Sequence, residues 1–219
     1  MTRNFNFADQ EFYHLYNRGT EKRTIFLTRG DYERFLSLLY IANQSTPVDV
    51  KLQGGTLNEI LRIERSEPLV AIGAYCLMPN HFHILAKEVV GGGISKFMQK
   101  VLTGYTMYFN KRHERSGALF QGTFRASHIQ DDRYLKYLVS YIHLNPVKLI
   151  EPKWKETGIA DPVGAEVYLA QYRYSSYPGY FGRESTFTKI LTLEEFPRYF
   201  ETDTDFLTYH TEWLNYNTE

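Results

Sequence analysis

The chain has 219 residues, of which 43% are hydrophobic and 23% charged; this composition excludes a disordered chain and allows one large domain or one domain with a smaller appendage. The single cysteine, Cys76, excludes an intrachain disulfide, and the sequence has neither a signal-peptide pattern nor an apolar run of about 18 residues, which predicts a cytoplasmic protein without a membrane segment. A formal net charge of zero by itself argues against nucleic-acid binding.

The first part of the chain predicts a strand followed by a helix. The segment "EFYHLYNRG" over residues 11–19 is rich in β-prone residues and ends at a turn signal. Asp31 is the predicted N-cap of a helix through "YERFLSLLYIAN", residues 32–43, which has a mostly apolar face. Residues 45–55 have the composition of a loop, and residues 57–65 fit either a short helix or a strand.

The centre of the chain predicts a strand hairpin and a long helix. The segment "LVAIGAYCL", residues 69–77, predicts a strand buried on both faces, and "HFHILAKEV", residues 81–89, predicts its neighbour across a turn at residues 78–80. After the glycines at residues 91–93, apolar residues recur with helical spacing, which predicts a helix that packs one stripe against the sheet. The stripe consists of Ile94, Phe97, Met98, Val101, Leu102, Tyr105, Tyr108 and Phe109.

The remaining elements are an extended segment and a second strong helix. The segment "ALFQGTFRASHI", residues 118–129, predicts a strand pair or an irregular extended stretch. Asp131 or Asp132 is the predicted N-cap of a helix through "RYLKYLVSYIHLN", and Pro146 is expected to end this helix.

This order of strands and helices predicts an α+β fold in which helices cover one face of an antiparallel sheet. We predict a main domain over residues 1–150 and an acidic C-terminal extension over residues 151–219 that packs partly on the core. Residues 93–128 carry six basic residues and one acidic residue, a net of +5, whereas residues 150–219 carry six basic and twelve acidic residues, a net of −6. The asymmetry indicates an anion-binding centre, and a solvated helix face is the alternative explanation.

His81 and His83 are the first candidates for a functional pair. Because residues i and i+2 of a strand point to the same face, the two imidazoles should project side by side while Phe82 points into the core. Two neutral imidazoles form half of a metal site. The alternative is a pair of hydrogen-bonded histidines on a half-buried strand.

Tyr141 and Asn145 lie one turn apart on one face of the last strong helix. Asn145 precedes Pro146, so its amide can turn outward as an oxygen ligand beside the tyrosine; the alternative is an asparagine C-cap and a core tyrosine. His143 projects to another side and stays a rival ligand. A phenol next to a phosphate that a divalent cation polarises is suited to phosphodiester cleavage with covalent retention of the phosphate.

Five segments, in this order, resemble the single-tyrosine HUH transposases, and in particular the REP-associated tyrosine transposases of bacteria. They are "YHLYNRGTEKRTIF", "YCLMPNHFHILAKE", "GALFQGTFRASHI", "YLVSYIHLNPVK" and the weaker "YRYSSYPGY", and they span roughly residues 10 to 182. The combination of "MPNHFHIL" with "YIHLNPVK" is more specific than either alone. The resemblance implies a ferredoxin-like fold and assigns residues 1–150 to the catalytic domain.

The resemblance also implies the roles of individual residues. His81, His83 and Asn145 would hold Mg²⁺ or Mn²⁺, and Tyr141 would cleave single-stranded DNA, forming a 5′-phosphotyrosine link and releasing a 3′-hydroxyl for later rejoining. The implied partner is a single strand with imperfect palindromic hairpins, met in a bacterial cytoplasm at the nucleoid. Physical chemistry alone does not select the metal, because imidazoles favour zinc and amide oxygens favour magnesium or manganese. Whether the protein is a monomer or a homodimer that exchanges tyrosine helices stays open.

Basic residues around the motifs are candidates for phosphate contacts that position the strand. The candidates are Arg18, Lys22, Arg23, Lys96, Lys100, Lys111, Arg112, Arg115 and Arg125. Two alternatives to a strand transferase stay open at this point. One is a domesticated hairpin-binding protein without cleavage, and the other is a small zinc-dependent hydrolase in which Tyr141 is only structural.

Overall fold

A computed structural model describes residues 6–46, 55–180, 186–202, 205–206 and 208–209 of the protein. Within these ranges, four strands form one antiparallel sheet in the order β2-β3-β1-β4. The strands are β1 (Phe12–Arg18), β2 (Val70–Met78), β3 (His81–Glu88) and β4 (Arg125–Ile129). The helices are α1 (Arg29–Ile41), α2 (Leu57–Ile60), α3 (Gly93–Arg112), α4 (Asp132–Leu144), α5 (Trp154–Thr157), α6 (Pro162–Gln171) and α7 (Tyr177–Tyr180).

The predicted hairpin is confirmed. All nine residues of β2 are buried, as its continuous apolar run predicts, and β3 pairs with it antiparallel across the turn at Pro79 and Asn80. The chain order of strand, helix, hairpin, helix and strand, with β1 and β3 in the middle, is the ferredoxin-like arrangement. The extended segment at 118–129 forms a single strand, β4, and the ambiguous stretch at 57–65 begins with the short helix α2.

Helices cover both faces of the sheet, whereas the sequence predicts helices on one face only. The helices α1 and α3 pack on one face, and α4 packs on the other. Alternation along β3 explains the division, because Phe82 and Ile84 enter the core beneath α1 and α3 while Leu85 enters a second core beneath α4. His81 and His83 share the face of Leu85. Phe82 is fully buried in the first core, as predicted.

Segments after α4 complete the second core and cover an edge of the sheet. Trp154, Leu169 and Tyr177 are buried there together with the apolar residues of α4. The Ser176 backbone amide donates to the Tyr75 carbonyl, and the Ser176 hydroxyl accepts from the Tyr75 amide at 2.9 Å. The outer edge of β2 is therefore paired at this point rather than open to another chain.

The start of α1 lies earlier than the sequence predicts. Thr28 is the N-cap, and Asp31 is the third helical residue, whose carboxylate accepts from the Thr28 and Leu27 amides at 2.8 and 2.9 Å. This is a capping box, in which the acidic residue lies inside the first turn rather than before it. His113 Nε2 donates to the same carboxylate at 3.0 Å, and the Arg112 guanidinium lies 3.8 Å away.

The Asp31 carboxylate is fully buried, so its loss should destabilise the fold. We expect Asp31→Ala to lower the free energy of unfolding by about 2–3 kcal/mol, because two backbone donors and His113 lose their acceptor. Urea unfolding followed by circular dichroism measures this difference. Glu64→Ala, which removes an exposed carboxylate, is the matched control and should stay within about 0.5 kcal/mol of the native protein; an equal loss for both variants would contradict the prediction.

Two of the three glycines at the start of α3 have a steric explanation. A Cβ on Gly93 would lie 2.2 Å from the Leu69 carbonyl oxygen, and Gly92 adopts a φ of 74°, in the left-handed region. The buried Glu88 carboxylate then accepts from the Ile94 amide at 2.7 Å and satisfies one donor of the helix start. The long helix is thus joined closely to the end of β3.

No helix within the described ranges has the length and hydropathy needed to cross a bilayer.

Candidate active site

His81 and His83 project from β3 toward the face that α4 covers. Their ring centroids lie 5.1 Å apart and the ring planes are nearly perpendicular, at 85°. His81 is partly exposed at the end of the strand, whereas His83 is 7% exposed. The prediction that the two imidazoles share one face of a strand is confirmed.

A hydrogen bond determines which nitrogen of His81 is available as a ligand. His81 Nδ1 lies 2.6 Å from the side-chain oxygen of Asn80, while the Asn80 amide nitrogen donates to the Lys22 carbonyl. Since the amide oxygen only accepts, the proton of the neutral imidazole lies on Nδ1. The lone pair of His81 Nε2 is therefore available to bind a cation.

His14 is a site residue that the sequence analysis missed. It lies on β1, and its Nε2 is 2.8 Å from His83 Nδ1, with both side chains buried. When His83 Nδ1 donates in this contact, His83 Nε2 keeps its lone pair, as in His81. Sequence alternation places His14 on the same face of β1 as Tyr16, but the pairing of β1 with β3 is a long-range contact that no local pattern shows.

Burial keeps the histidines neutral. Desolvation lowers the pKa of His81 to about 4, with further lowering by the charges of Lys148 and Lys155. Desolvation likewise brings the pKa of His83 well below its usual value, and burial lowers that of His14 to about 4. Neutral imidazole is the protonation state that binds metals, so no proton has to leave these rings at neutral pH.

Tyr141 lies on α4 directly opposite His83. The two ring centroids are 5.5 Å apart in an edge-to-face arrangement. The tyrosine lines a small cavity of about 310 Å³ with His83 and with residues of β1, β4 and its own helix, α4. The other lining residues are His14, Tyr16, Ser127, Tyr134, Tyr137 and Leu138. The structure thus brings Tyr141 together with His83, one of the two histidines of the predicted pair.

The Tyr141 phenol is neutral at physiological pH. Burial raises the pKa of Tyr141, and a hydrogen bond from the Asn145 side chain opposes this rise. The Asn145 amide nitrogen also donates to the Tyr141 carbonyl at 2.7 Å, and Asn145 is 3% exposed. Because the nitrogen is the donor in these contacts, the amide oxygen retains its role as an acceptor. The helix ends at Leu144, as Pro146 predicts, and continues as a 3-10 turn over Asn145–Leu149.

His143, the rival ligand, lies on the other side of α4. It is fully buried, and its Nε2 is 2.6 Å from the Ser176 hydroxyl. Burial lowers the pKa of His143 to about 3, so it stays neutral there. The structure places it with the C-terminal segments that cover β2, away from His81 and His83.

A cationic cleft of about 760 Å³ opens beside the histidines and includes both of them in its lining. Three of the predicted DNA contacts, Arg18, Lys22 and Arg125, line this cleft. Lys148 is a fourth lining cation that the sequence analysis missed, although it follows Asn145 by only three residues. His83 and Tyr16 border both this cleft and the tyrosine cavity, so the two spaces meet at the metal-binding candidate.

The other predicted DNA contacts lie elsewhere. Lys96 donates to the Ser45 carbonyl, and Lys100 donates to the carbonyls of Gln44 and Thr46, on the face of the sheet opposite the histidines. These two lysines therefore join α3 to the end of α1. Arg23 pairs with Glu21, and Arg112 lies near Asp31. Lys111 is exposed near the end of α3, and the Arg115 guanidinium lies over the Phe109 ring.

The candidate ligands for a divalent cation are one imidazole nitrogen each from His81 and His83 and the side-chain amide oxygen of Asn145. Among the described residues, no group of three or more His, Cys, Asp and Glu side chains could hold a metal. The two neutral Nε2 atoms and one amide oxygen carry no charge, so the affinity of such a set is weak until water and a phosphate complete it. Such a set fits a weakly held divalent cation rather than a permanent structural zinc, which takes four protein ligands.

The fold and this arrangement define the class of protein: a ferredoxin-like α+β domain with a His-x-His strand facing a helix-borne tyrosine. The family model described as "Transposase IS200 like" matches residues 13–145, and the chain belongs to this transposase family. Its fold is similar to a solved structure described as a REP-associated tyrosine transposase bound to a REP hairpin, with 12% identity, a TM-score of 0.51, and coverage of 82% of this chain and 83% of that chain. No curated protein matches the sequence.

Proposed function

We propose that the protein is a single-stranded DNA endonuclease and strand transferase that acts next to a hairpin, with Tyr141 as the nucleophile. The observation that carries the proposal is the position of the Tyr141 ring, 5.5 Å from the ring of His83. His83 borders both the tyrosine cavity and the cationic cleft. A strand held in the cleft would present a phosphodiester to the phenol.

In the proposed reaction, the Tyr141 hydroxyl oxygen attacks the phosphorus of the phosphodiester and loses its proton to solvent. The bond from phosphorus to the 3′ oxygen breaks, and that oxygen leaves as a hydroxyl after taking up a proton. The product is a 5′-phosphotyrosine, which conserves the energy of the diester for rejoining. In-line placement of the nucleophile and leaving oxygen is the main requirement.

His81, His83 and Asn145 would hold a divalent cation, Mg²⁺ or Mn²⁺. When bound, this ion supplies charge that stabilises the phosphate and the leaving oxygen. Asn80 fixes the tautomer of His81, and His14 holds the ring of His83 in place. Burial of the site strengthens these electrostatic contacts relative to water.

The proposed substrate is a single strand that carries an imperfect palindromic hairpin. The cleft offers Arg18, Lys22, Arg125 and Lys148, whose cationic groups suit phosphate oxygens. Support comes from the family and from the similar solved structure, which is described as bound to a REP hairpin. The alternatives of hairpin binding alone or zinc-dependent hydrolysis do not use the proximity of Tyr141 to His83.

The test is incubation of the native protein with single strands that carry the repeats flanking its gene, followed by a denaturing gel. We expect a covalent protein–DNA adduct and a released fragment with a 3′-hydroxyl, both requiring Mg²⁺ or Mn²⁺ and both absent with EDTA. A strand of equal length without a palindrome is the control. A hairpin that is bound tightly but never cut would favour the binding protein, and turnover of a simple phosphoester without an adduct would favour the hydrolase.

A further inference from the structure

A lysine from outside the family match lies against the tyrosine. Lys155 is on α5, after the last residue, 145, that the transposase family covers. Its Nζ lies 4.1 Å from the centroid of the Tyr141 ring, over the face of the ring. The neighbouring Trp154 is 1% exposed and belongs to the second core, which fixes this short helix beside α4.

Among the residues that the structure describes, no acidic side chain forms an ion pair with Lys155. The residue as a whole is exposed, yet desolvation of its ammonium group and repulsion from Lys148 lower the pKa of Lys155 to about 8. Its charge also lowers the pKa of His81 and His83, so it lies within electrostatic range of both.

Lys148 and Lys155 form no ion pair with a described residue and lie near the neutral candidate metal ligands. Two such cations form a site that favours an anion. Lys148 lines the cationic cleft, and Lys155 covers the tyrosine. A cation–π contact at an exposed position is weak, so the phenol ring alone does little to offset the repulsion between Lys148 and Lys155. An arriving phosphate would give both lysines a partner and would form charge-assisted hydrogen bonds.

We propose that Lys155 is a further catalytic residue, which contacts a non-bridging oxygen of the phosphodiester that Tyr141 attacks. The proposal rests on the proposed function of the site. In the resting protein the ammonium group lies over the Tyr141 ring, and in the complex it moves from the ring to the phosphate. Negative charge grows on the phosphoryl oxygens and the leaving oxygen during transfer, and a preorganised cation stabilises that charge. The lysine remains protonated and exchanges no atoms with the substrate.

The test compares three variants in single-turnover cleavage of hairpin DNA. Lys155→Met keeps the apolar stem over the ring and removes the charge, Lys155→Arg restores the charge, and Lys153→Met removes an exposed lysine two residues away as the matched control. We expect Lys155→Met to slow adduct formation on the order of 100-fold, with Lys155→Arg recovering most of the loss and Lys153→Met changing little. Hairpin affinity, measured by fluorescence anisotropy, should change by less than about threefold, because one phosphate contact contributes little to the total.

A second readout separates a contact with phosphate from a role in packing. The scissile diester is replaced by each of the two phosphorothioate diastereomers, and we expect the native protein to cut the one with sulfur at the Lys155-contacted oxygen more slowly. This difference should shrink in Lys155→Met. Cleavage by Lys155→Met within threefold of the native rate, or an unchanged difference between diastereomers, would overturn the proposal for Lys155. Failure of the native protein to form any adduct would instead overturn the proposed function.

Discussion

Replacing Tyr141 by phenylalanine should abolish the covalent adduct while leaving hairpin binding intact. The substitution removes the single oxygen that attacks phosphorus and keeps the ring that packs at 5.5 Å from His83. Removing a nucleophile costs at least about 10⁴-fold in rate, so the adduct should fall below detection on a denaturing gel. Because the cationic cleft is untouched, anisotropy with labelled hairpin DNA should report an affinity close to that of the native protein.

Tyr137 supplies a matched control for this experiment. It lies one turn before Tyr141 on α4 and lines the same small cavity, and burial raises its pKa to about 12. Tyr137→Phe should therefore retain the adduct, with at most a modest change in rate. Persistence of the adduct in Tyr141→Phe together with its loss in Tyr137→Phe would reassign the nucleophile by one helical turn.

Replacing His83 by alanine should weaken binding of the divalent cation and thereby abolish most of the cleavage. A weak, uncharged ligand set cannot lose one of its two imidazoles and still hold the ion, so the rate should fall by more than about 100-fold at a fixed Mn²⁺ concentration. Electron paramagnetic resonance of Mn²⁺ gives a readout independent of activity, since bound ion loses the signal of the free ion. In the presence of uncut hairpin DNA, we expect the His83→Ala variant to bind less Mn²⁺ than the native protein does.

His128 is the matched control for the histidine variants. It lies on β4, where its Nε2 pairs with the Glu11 carboxylate at 2.9 Å, and it does not line the cleft or the tyrosine cavity. His128→Ala should leave both Mn²⁺ binding and cleavage close to native. Full Mn²⁺ binding by His83→Ala and by His81→Ala would refute the assignment of the β3 histidines as ligands.

Local patterns were sufficient for the elements that carry the site. The all-apolar run of β2, the turn at Pro79 and the alternation along β3 are short-range signals, and they place His81 and His83 on one face without knowledge of the fold. The stripe along α3 and the stop at Pro146 are equally local. The i, i+4 spacing of Tyr141 and Asn145 follows directly from helix geometry.

The remaining parts depend on long-range packing. An apolar stripe on α4 shows that the helix is buried but not which face of the sheet it covers, and for this reason the one-face expectation was wrong. His14 reaches His83 only through the pairing of β1 with β3, and Lys155 reaches Tyr141 only through the burial of Trp154. Lys96 and Lys100 show the reverse case, since lysines off an apolar stripe resemble phosphate ligands yet bond main-chain carbonyls.

The short connection before α4 and the segments after it limit how the nucleophile can be shared between two copies of the chain. Only residues 130 and 131 separate β4 from α4, and β4 is paired to β1. On the other side, His143 is bonded to Ser176, and Trp154 and Tyr177 are buried with the helix. Transfer of α4 alone to a second molecule would require unpacking the second core and breaking the hydrogen bond between His143 and Ser176. In the structure, Tyr141 and His83 come from one chain, so the two rings meet without any exchange of α4.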